Sequence, residues 1–153
     1  MFKLVAVLLA PLMAFASDLP SKKYLDLAAV KTMVAASEAK AKELNVSVSI
    51  CIVDESGNLL FLEKGETASL NTLQFAQKKA RHAAAYGVPS REAAESVKNG
   101  NVQNLAFPNF FPNQGGLPIR VDGQLLGGIS ASGAKSEIDE QIAQAGLDAL
   151  LKN

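Results

Sequence analysis

Residues 45–59 read Asn45-Val46-Ser47-Val48-Ser49-Ile50-Cys51-Ile52-Val53-Asp54-Glu55-Ser56-Gly57-Asn58-Leu59, and the fold class turns on this stretch. Val46, Val48, Ile50 and Ile52 alternate with Ser47, Ser49 and Cys51. A period of two in β-branched residues predicts a strand. Asp54-Glu55-Ser56-Gly57 has turn chemistry, and residues 59–64 return as a second strand. Upstream the period changes. Leu27, Val30, Val34, Ala41 and Leu44 recur at helical steps and predict a helix over 22–44, closed at Asn45, a residue that tolerates the left-handed conformation.

Downstream, Leu70, Leu73, Ala76, Ala80 and Ala83 predict a helix over 69–86, stopped by Gly87 and Pro89. Ser90 is expected to cap a short helix over 91–98. Residues 99–116 are irregular and rich in Asn, Phe, Pro and Gly. Residues 117–121 and 124–130 form a hairpin across Asp122-Gly123, a strong two-residue turn signal. Ser136, with Asp139 three residues on, opens a last helix ending near Leu151. The order α-β-β-α-α-β-β-α, with hairpins rather than crossovers, predicts an α+β domain: an antiparallel sheet covered by helices.

Composition removes several functions. Fifteen Lys+Arg against fifteen Asp+Glu leave no electrostatic footprint for nucleic acid. One Cys excludes an intrachain disulfide and a Cys-based zinc site or iron–sulfur cluster within one chain. One His excludes multi-histidine metal sites, so any imidazole chemistry belongs to His82. Residues 1–16 have a basic start at Lys3, an apolar run and a closing Ala14-Phe15-Ala16, the pattern of a cleaved signal peptide. The expectation is a periplasmic or secreted protein whose residues 17–153 form one domain, with no stable membrane span. Removing 1–16 deletes Lys3, so fourteen basic residues face fifteen acidic ones, a formal charge of −1.

No P-loop, dinucleotide fingerprint, nucleophile elbow or H-E-x-x-H motif is present. Without an organised nucleophile, a binding protein is favoured over an enzyme, and no catalytic residue is assigned. The candidates are local. His82 lies within Lys78-Lys79-Ala80-Arg81-His82-Ala83-Ala84-Ala85-Tyr86, where small neighbours permit close approach of a flat ligand or a sheet. Imidazole is a common metal ligand as well as a structural residue. Lys78, Lys79 and Arg81 offer cations to ligand carboxylates. Phe107-Pro108-Asn109-Phe110-Phe111-Pro112 is dense enough in aromatics to wall an apolar pocket or to form a subunit contact. Gly115-Gly116 and Gly127-Gly128 suit turns and close packing. Asp54, Glu55, Glu63 and Glu66 gather around the first hairpin, where solvated surface roles compete with acid–base work.

Four segments together resemble the GlcG/HbpS family. They are the strand and turn ending Val53-Asp54-Glu55-Ser56-Gly57, and the helix Ala76-Gln77-Lys78-Lys79-Ala80-Arg81-His82-Ala83-Ala84. The third runs Gly115-Gly116-Leu117-Pro118-Ile119 with Gly127-Gly128-Ile129-Ser130-Ala131-Ser132-Gly133. The fourth is Asp139-Glu140-Gln141-Ile142-Ala143-Gln144-Ala145-Gly146. The resemblance covers residues 22–151. It implies a profilin-like α+β fold with an antiparallel sheet of about five strands, and symmetric homo-oligomers. It also implies haem binding, with haem breakdown or redox-linked sensing in some members. A related domain is fused to corrinoid adenosyltransferases, and other members occur in glycolate or diol utilisation contexts.

His82 stands where many relatives carry Thr or another small polar residue. In a haem-binding relative that position is implicated in the haem contact, and an imidazole ligates iron more strongly than a hydroxyl. The resemblance therefore implies an exported haem-binding protein engaged in storage, sensing or breakdown. In it His82 ligates iron, Phe110 and Phe111 contact the porphyrin, and Lys78, Lys79 or Arg81 pair with propionates. Two alternatives stand beside it: a non-catalytic module that binds or senses a metabolite or corrinoid, and an oligomeric interaction protein in which the Phe-rich loop is the interface.

Overall fold

The computed structural model describes residues 20–152. The signal-peptide expectation for residues 1–16 lies outside that span. The elements run α1 (Leu27–Glu43), β1 (Ser49–Asp54), β2 (Leu59–Lys64), α2 (Asn71–Tyr86), α3 (Ser90–Lys98), a 3₁₀ segment (Val102–Ala106), β3 (Gly116–Val121), β4 (Gln124–Ser132) and α4 (Ser136–Leu151). The order and the antiparallel sheet are as expected. The sheet has four strands among the described residues, ordered β2-β1-β4-β3, rather than about five.

β1 is central, and both of its faces are covered. Ile50 and Ile52 face the α1–α4 layer with Val30, Met33, Ile129 and Ile142. Cys51 and Val53 face α2, packing with Ala76, Ala80 and Ala84. Ser49, on the α2 side, is buried and shares a 2.7 Å hydrogen bond with Thr72. Ser49 and Cys51, which alternate with the branched residues, thus mark the face covered by a small-residue helix, not a solvated face. Burial pushes the Cys51 thiol up to about 12, so it stays protonated and inert.

That α2 lies directly on the sheet follows from glycine. A Cβ at Gly128 would meet the Ala80 carbonyl at 2.2 Å, and one at Gly116 would meet the Lys79 carbonyl at 2.4 Å. Ser130 Oγ donates to the Ala76 carbonyl at 2.6 Å, bonding helix to strand at the same seam.

Turn expectations hold in detail. Asp122 and Gly123 have φ of 49° and 79°, the paired positive values of a type I′ hairpin, and Asn45 ends α1 at φ 53°. Asp54 Oδ1 accepts from the Ser56 and Asn58 amides, making Asp54 a turn residue. Helix starts differ more. Residues 22–26 precede α1, whose N-cap is Asp26, accepting from the Ala29 amide, and Leu27 is exposed. Ser90 does not cap α3. Its hydroxyl donates to the Asn113 carbonyl and accepts from the Gly116 amide, fastening the irregular segment to β3. Asp139 does not complete a capping box with Ser136; its Oδ1 accepts from the Ala134 amide. Among the described residues no helix is long and apolar enough to cross a membrane.

Candidate functional site

Phe75, Lys78, His82 and Tyr86 fall on one stripe of α2 at three- and four-residue steps, and residues 107–111 lie along that stripe. Each loop contact is specific. Phe111 stacks on Phe75 at 6.0 Å between centroids, and Lys78 Nζ lies 5.6 Å from the Phe111 ring centre. Phe110 meets His82 and Tyr86 edge-on at 5.4 and 5.8 Å. The Tyr86 hydroxyl donates to the Pro108 carbonyl at 2.8 Å. The left-handed backbone of Asn109, at φ 59°, turns the loop so that both phenyl rings face the helix.

His82 is the centre of this arrangement and only 1% exposed. Its ring stacks on Tyr86 at 4.7 Å. Nδ1 accepts from the Phe111 amide at 3.2 Å. Nε2 is buried with no hydrogen-bond partner. Burial holds the imidazole below its ordinary proton affinity, against a smaller opposing pull from the Asn109 carbonyl, so the ring is neutral at pH 7.

Beside this cluster a cleft of about 290 Å³ is lined by Lys78, Arg81, Asn109, Phe110 and Phe111. Lys78 is exposed; Arg81 is half-buried and donates through Nε to the Gly57 carbonyl at 3.2 Å, which ties the cleft wall to the first hairpin. Two cations beside aromatic walls are the groups that can pair with carboxylates and pack on a flat ring. Five of the six residues singled out from the sequence are therefore adjacent: His82, Phe110, Phe111, Lys78 and Arg81.

Lys79 is not among them. It points into the opposite, sheet side of α2, is 1% exposed, and is paired with Asp139 at 2.8 Å while donating to the Ala131 carbonyl at 3.1 Å. Burial holds Lys79 below the usual ammonium range and Asp139 above the usual carboxylate range, in each case against the attraction between them. Successive helix residues point about 100° apart, and that step turns Lys79 from the cleft beside Lys78 into the sheet side, where Asp139 holds it. The residues missed from sequence are Asn109 and Tyr86. Tyr86 carried a signal, standing one turn beyond His82 on the same stripe; Asn109 carried only the tolerance of Asn for the left-handed conformation, and its carbonyl carried none.

The first-hairpin carboxylates separate as well. Glu63 rises to about 7, through burial and then through the charge and hydrogen bond of Glu38, beside a groove of about 550 Å³ between α1 and the β1–β2 hairpin. Among the described residues no three His, Cys, Asp or Glu side chains gather as a metal-binding group.

A family model described as "Haem degrading protein HbpS-like" matches residues 25–148. Protein GlcG of Escherichia coli strain K12 is 31% identical over 112 residues, covering 73% of this chain and 84% of that one. Among solved structures, a double mutant of Streptomyces reticuli HbpS superposes with a TM-score of 0.80 at 29% identity, covering 92% of this chain and 97% of that one. A PduOC–haem complex gives 0.76 at 28% identity, covering 83% and 95%.

Proposed function

The chain belongs to the HbpS-like family, and from that premise we propose that it binds haem at the junction of α2 with residues 107–111. The observation that carries the reading is the buried imidazole nitrogen of His82, which no protein group uses. A buried polar atom without a partner costs about 1–3 kcal/mol, a cost that a bound ligand would offset. The donor set fits haem in kind. His82 would ligate iron, Phe110 and Phe111 would contact the macrocycle, and Lys78 and Arg81 would meet the propionates. Lys79 takes no part. Haem supplies an iron with an open coordination position.

The protein contributes a neutral imidazole, two cations on one cleft and an aromatic wall. A neutral imidazole is the form that can ligate, and His82 is held neutral by burial. With one His per chain, two-imidazole ligation would need a second subunit. The exposed Val102, Leu105 and Phe107 beside the site supply an apolar surface for a homo-oligomer. Export fits residues 1–16, and the mature chain would then begin at Ser17 in the periplasm or outside the cell.

Hemin titration followed at the Soret band tests the assignment. Wild-type protein should give a saturable spectrum that His82→Ala changes in position and affinity. An unchanged spectrum in His82→Ala removes the ligand role. The cleft lining, which includes two cations but not His82, favours one second reading, a sensor of a flat organic anion without metal contact. Binding of metal-free protoporphyrin as tightly as hemin would select it.

A further inference from the structure

The site proposed above is closed in this conformation, and the same imidazole closes it. Nε2 has no exposed surface, one face of the ring lies on Tyr86, and the Phe110 edge stands against it. The hydrogen bond adds a second constraint. Nδ1 accepts the Phe111 amide proton, so Nδ1 itself is unprotonated and the ring's one proton sits on Nε2.

From this we infer that residues 107–111 form a lid latched by His82, and that latching and metal ligation by His82 exclude one another. Both routes to ligation break the same bond. Ligation through Nε2 needs that nitrogen's lone pair, so the proton must move to Nδ1, which then cannot accept from Phe111. Ligation through Nδ1 needs the lone pair that the Phe111 amide now occupies. The proton is conserved in the first route, as a tautomer exchange, and is not transferred in the second. The Tyr86 hydroxyl to Pro108 carbonyl bond and the Phe110 edge contacts hold the lid in the same closed position. The lid is suited to movement. Among the described residues its backbone hydrogen bonds within the main chain are local turns, such as the Phe110 amide to the Phe107 carbonyl, with no ladder to a strand.

The inference rests on haem, or another metal-bearing ligand, reaching His82, and the tests separate the two. In the ligand-free protein, ¹⁵N-histidine labelling gives a single pair of ring resonances, because there is one His. The protonated nitrogen should be Nε2. Protonation at Nδ1, donating to the Asn109 carbonyl, would overturn the latch directly. Stopped-flow mixing with hemin should give an observed rate that levels off as hemin increases, the plateau being the rate of lid opening. Tyr86→Phe, which loses the hydrogen bond to Pro108, and Phe110→Ala, which loses the edge contacts, should each raise that plateau by up to about tenfold, the size of one such interaction. Tyr86→Phe is the milder change and keeps the ring stack on His82.

Amide exchange gives the third reading: the Phe111 amide should be protected in the free protein and exposed once hemin binds. A His82-dependent Soret band with the Phe111 amide still protected, or rates linear in hemin and equal in all variants, overturns the lid while leaving haem binding intact. No hemin binding in any variant overturns the function and the lid together.

Discussion

Lys79→Met tests whether the two adjacent lysines have separate tasks. Lys79 Nζ lies 2.8 Å from Asp139 Oδ2, with side-chain exposures of 2% and 3%. At an effective dielectric of about 20 the gross attraction is about 6 kcal/mol, most of it offset by desolvation. Removing the cation leaves the Asp139 carboxylate buried with only the Ala134 and Gly133 amides to stabilise its charge. Breaking one half of such a pair costs about 3–5 kcal/mol. At about 4 °C per kcal/mol for a chain of this size, the melting temperature should fall by about 12–20 °C. Lys79→Met combined with Asp139→Asn should recover most of the loss, since the amide keeps the Ala134 contact and buries no charge. Calorimetry of the three variants measures this, and hemin titration below the melting range measures the rest. Hemin affinity should match wild type in Lys79→Met. A variant with unchanged melting, or one folded but deficient in hemin binding, would refute the assignment of Lys79 to the core.

Lys78→Ala and Arg81→Ala should do the reverse, weakening hemin by about 0.5–1.5 kcal/mol each, a factor of about 2–12, with the loss shrinking at high salt; melting should be nearly unchanged in Lys78→Ala and fall only by the value of one hydrogen bond, about 1 kcal/mol, in Arg81→Ala, which loses the Gly57 contact. Gly128→Ala should destabilise by about 1–3 kcal/mol or more, because the added methyl meets the Ala80 backbone carbonyl at 2.2 Å and no side chain can yield; a denaturant midpoint equal to wild type would contradict the close seating of α2. Glu63 has a folded pKa of about 7, above the ordinary 4.5, so the folded state binds its proton more tightly than the unfolded state does. Its contribution to stability is full below about pH 4.5 and is lost as pH rises through 7. Glu63→Gln should therefore stabilise relative to wild type at pH 8 and lose that advantage by pH 4, read from melting temperatures at the two pH values. Leu105→Ser with Phe107→Ser should lower the assembly state by light scattering while leaving the monomer fold intact; an unchanged mass would remove this patch as the subunit contact.

How far the sequence could be read depended on whether the signal was local. The period-two run around Ile50, the positive-φ residues Asp122, Gly123 and Asn45, and the helical stripe of α2 are set by nearest neighbours, and each appeared where expected. Helix caps, though not the starts of α3 and α4, were misread where a side chain had a longer-range use. Ser90 and Asp139 both have the chemistry of helix-capping residues, yet Ser90 bonds Asn113 and Gly116, and Asp139 bonds Ala134 and Lys79. Nothing within four residues of either side chain reveals partners 23 and 26 positions from Ser90 or 60 positions from Asp139. The same limit explains Lys79. Charge and sequence proximity placed it with Lys78, while the rotation of the helix between them placed it on the sheet.

Helix rotation also accounts for how the site is built. Along α2, Ala76, Ala80 and Ala84 must be small because the sheet's glycines bring its backbone within carbonyl contact. That seating fixes the helix's roll about its axis. Once the roll is fixed, Lys79 is directed into the core towards Asp139, and the stripe of Phe75, Lys78, His82 and Tyr86 is directed to the side where residues 107–111 lie. The placement of the imidazole is thus decided by alanine and glycine on the opposite side of the helix. It follows that Gly128→Ala, beyond its cost in stability, should tilt α2 and loosen the Phe111 amide from His82. Amide exchange at Phe111 in that variant would register the coupling, and protection equal to wild type would show that the lid is held by its own contacts alone.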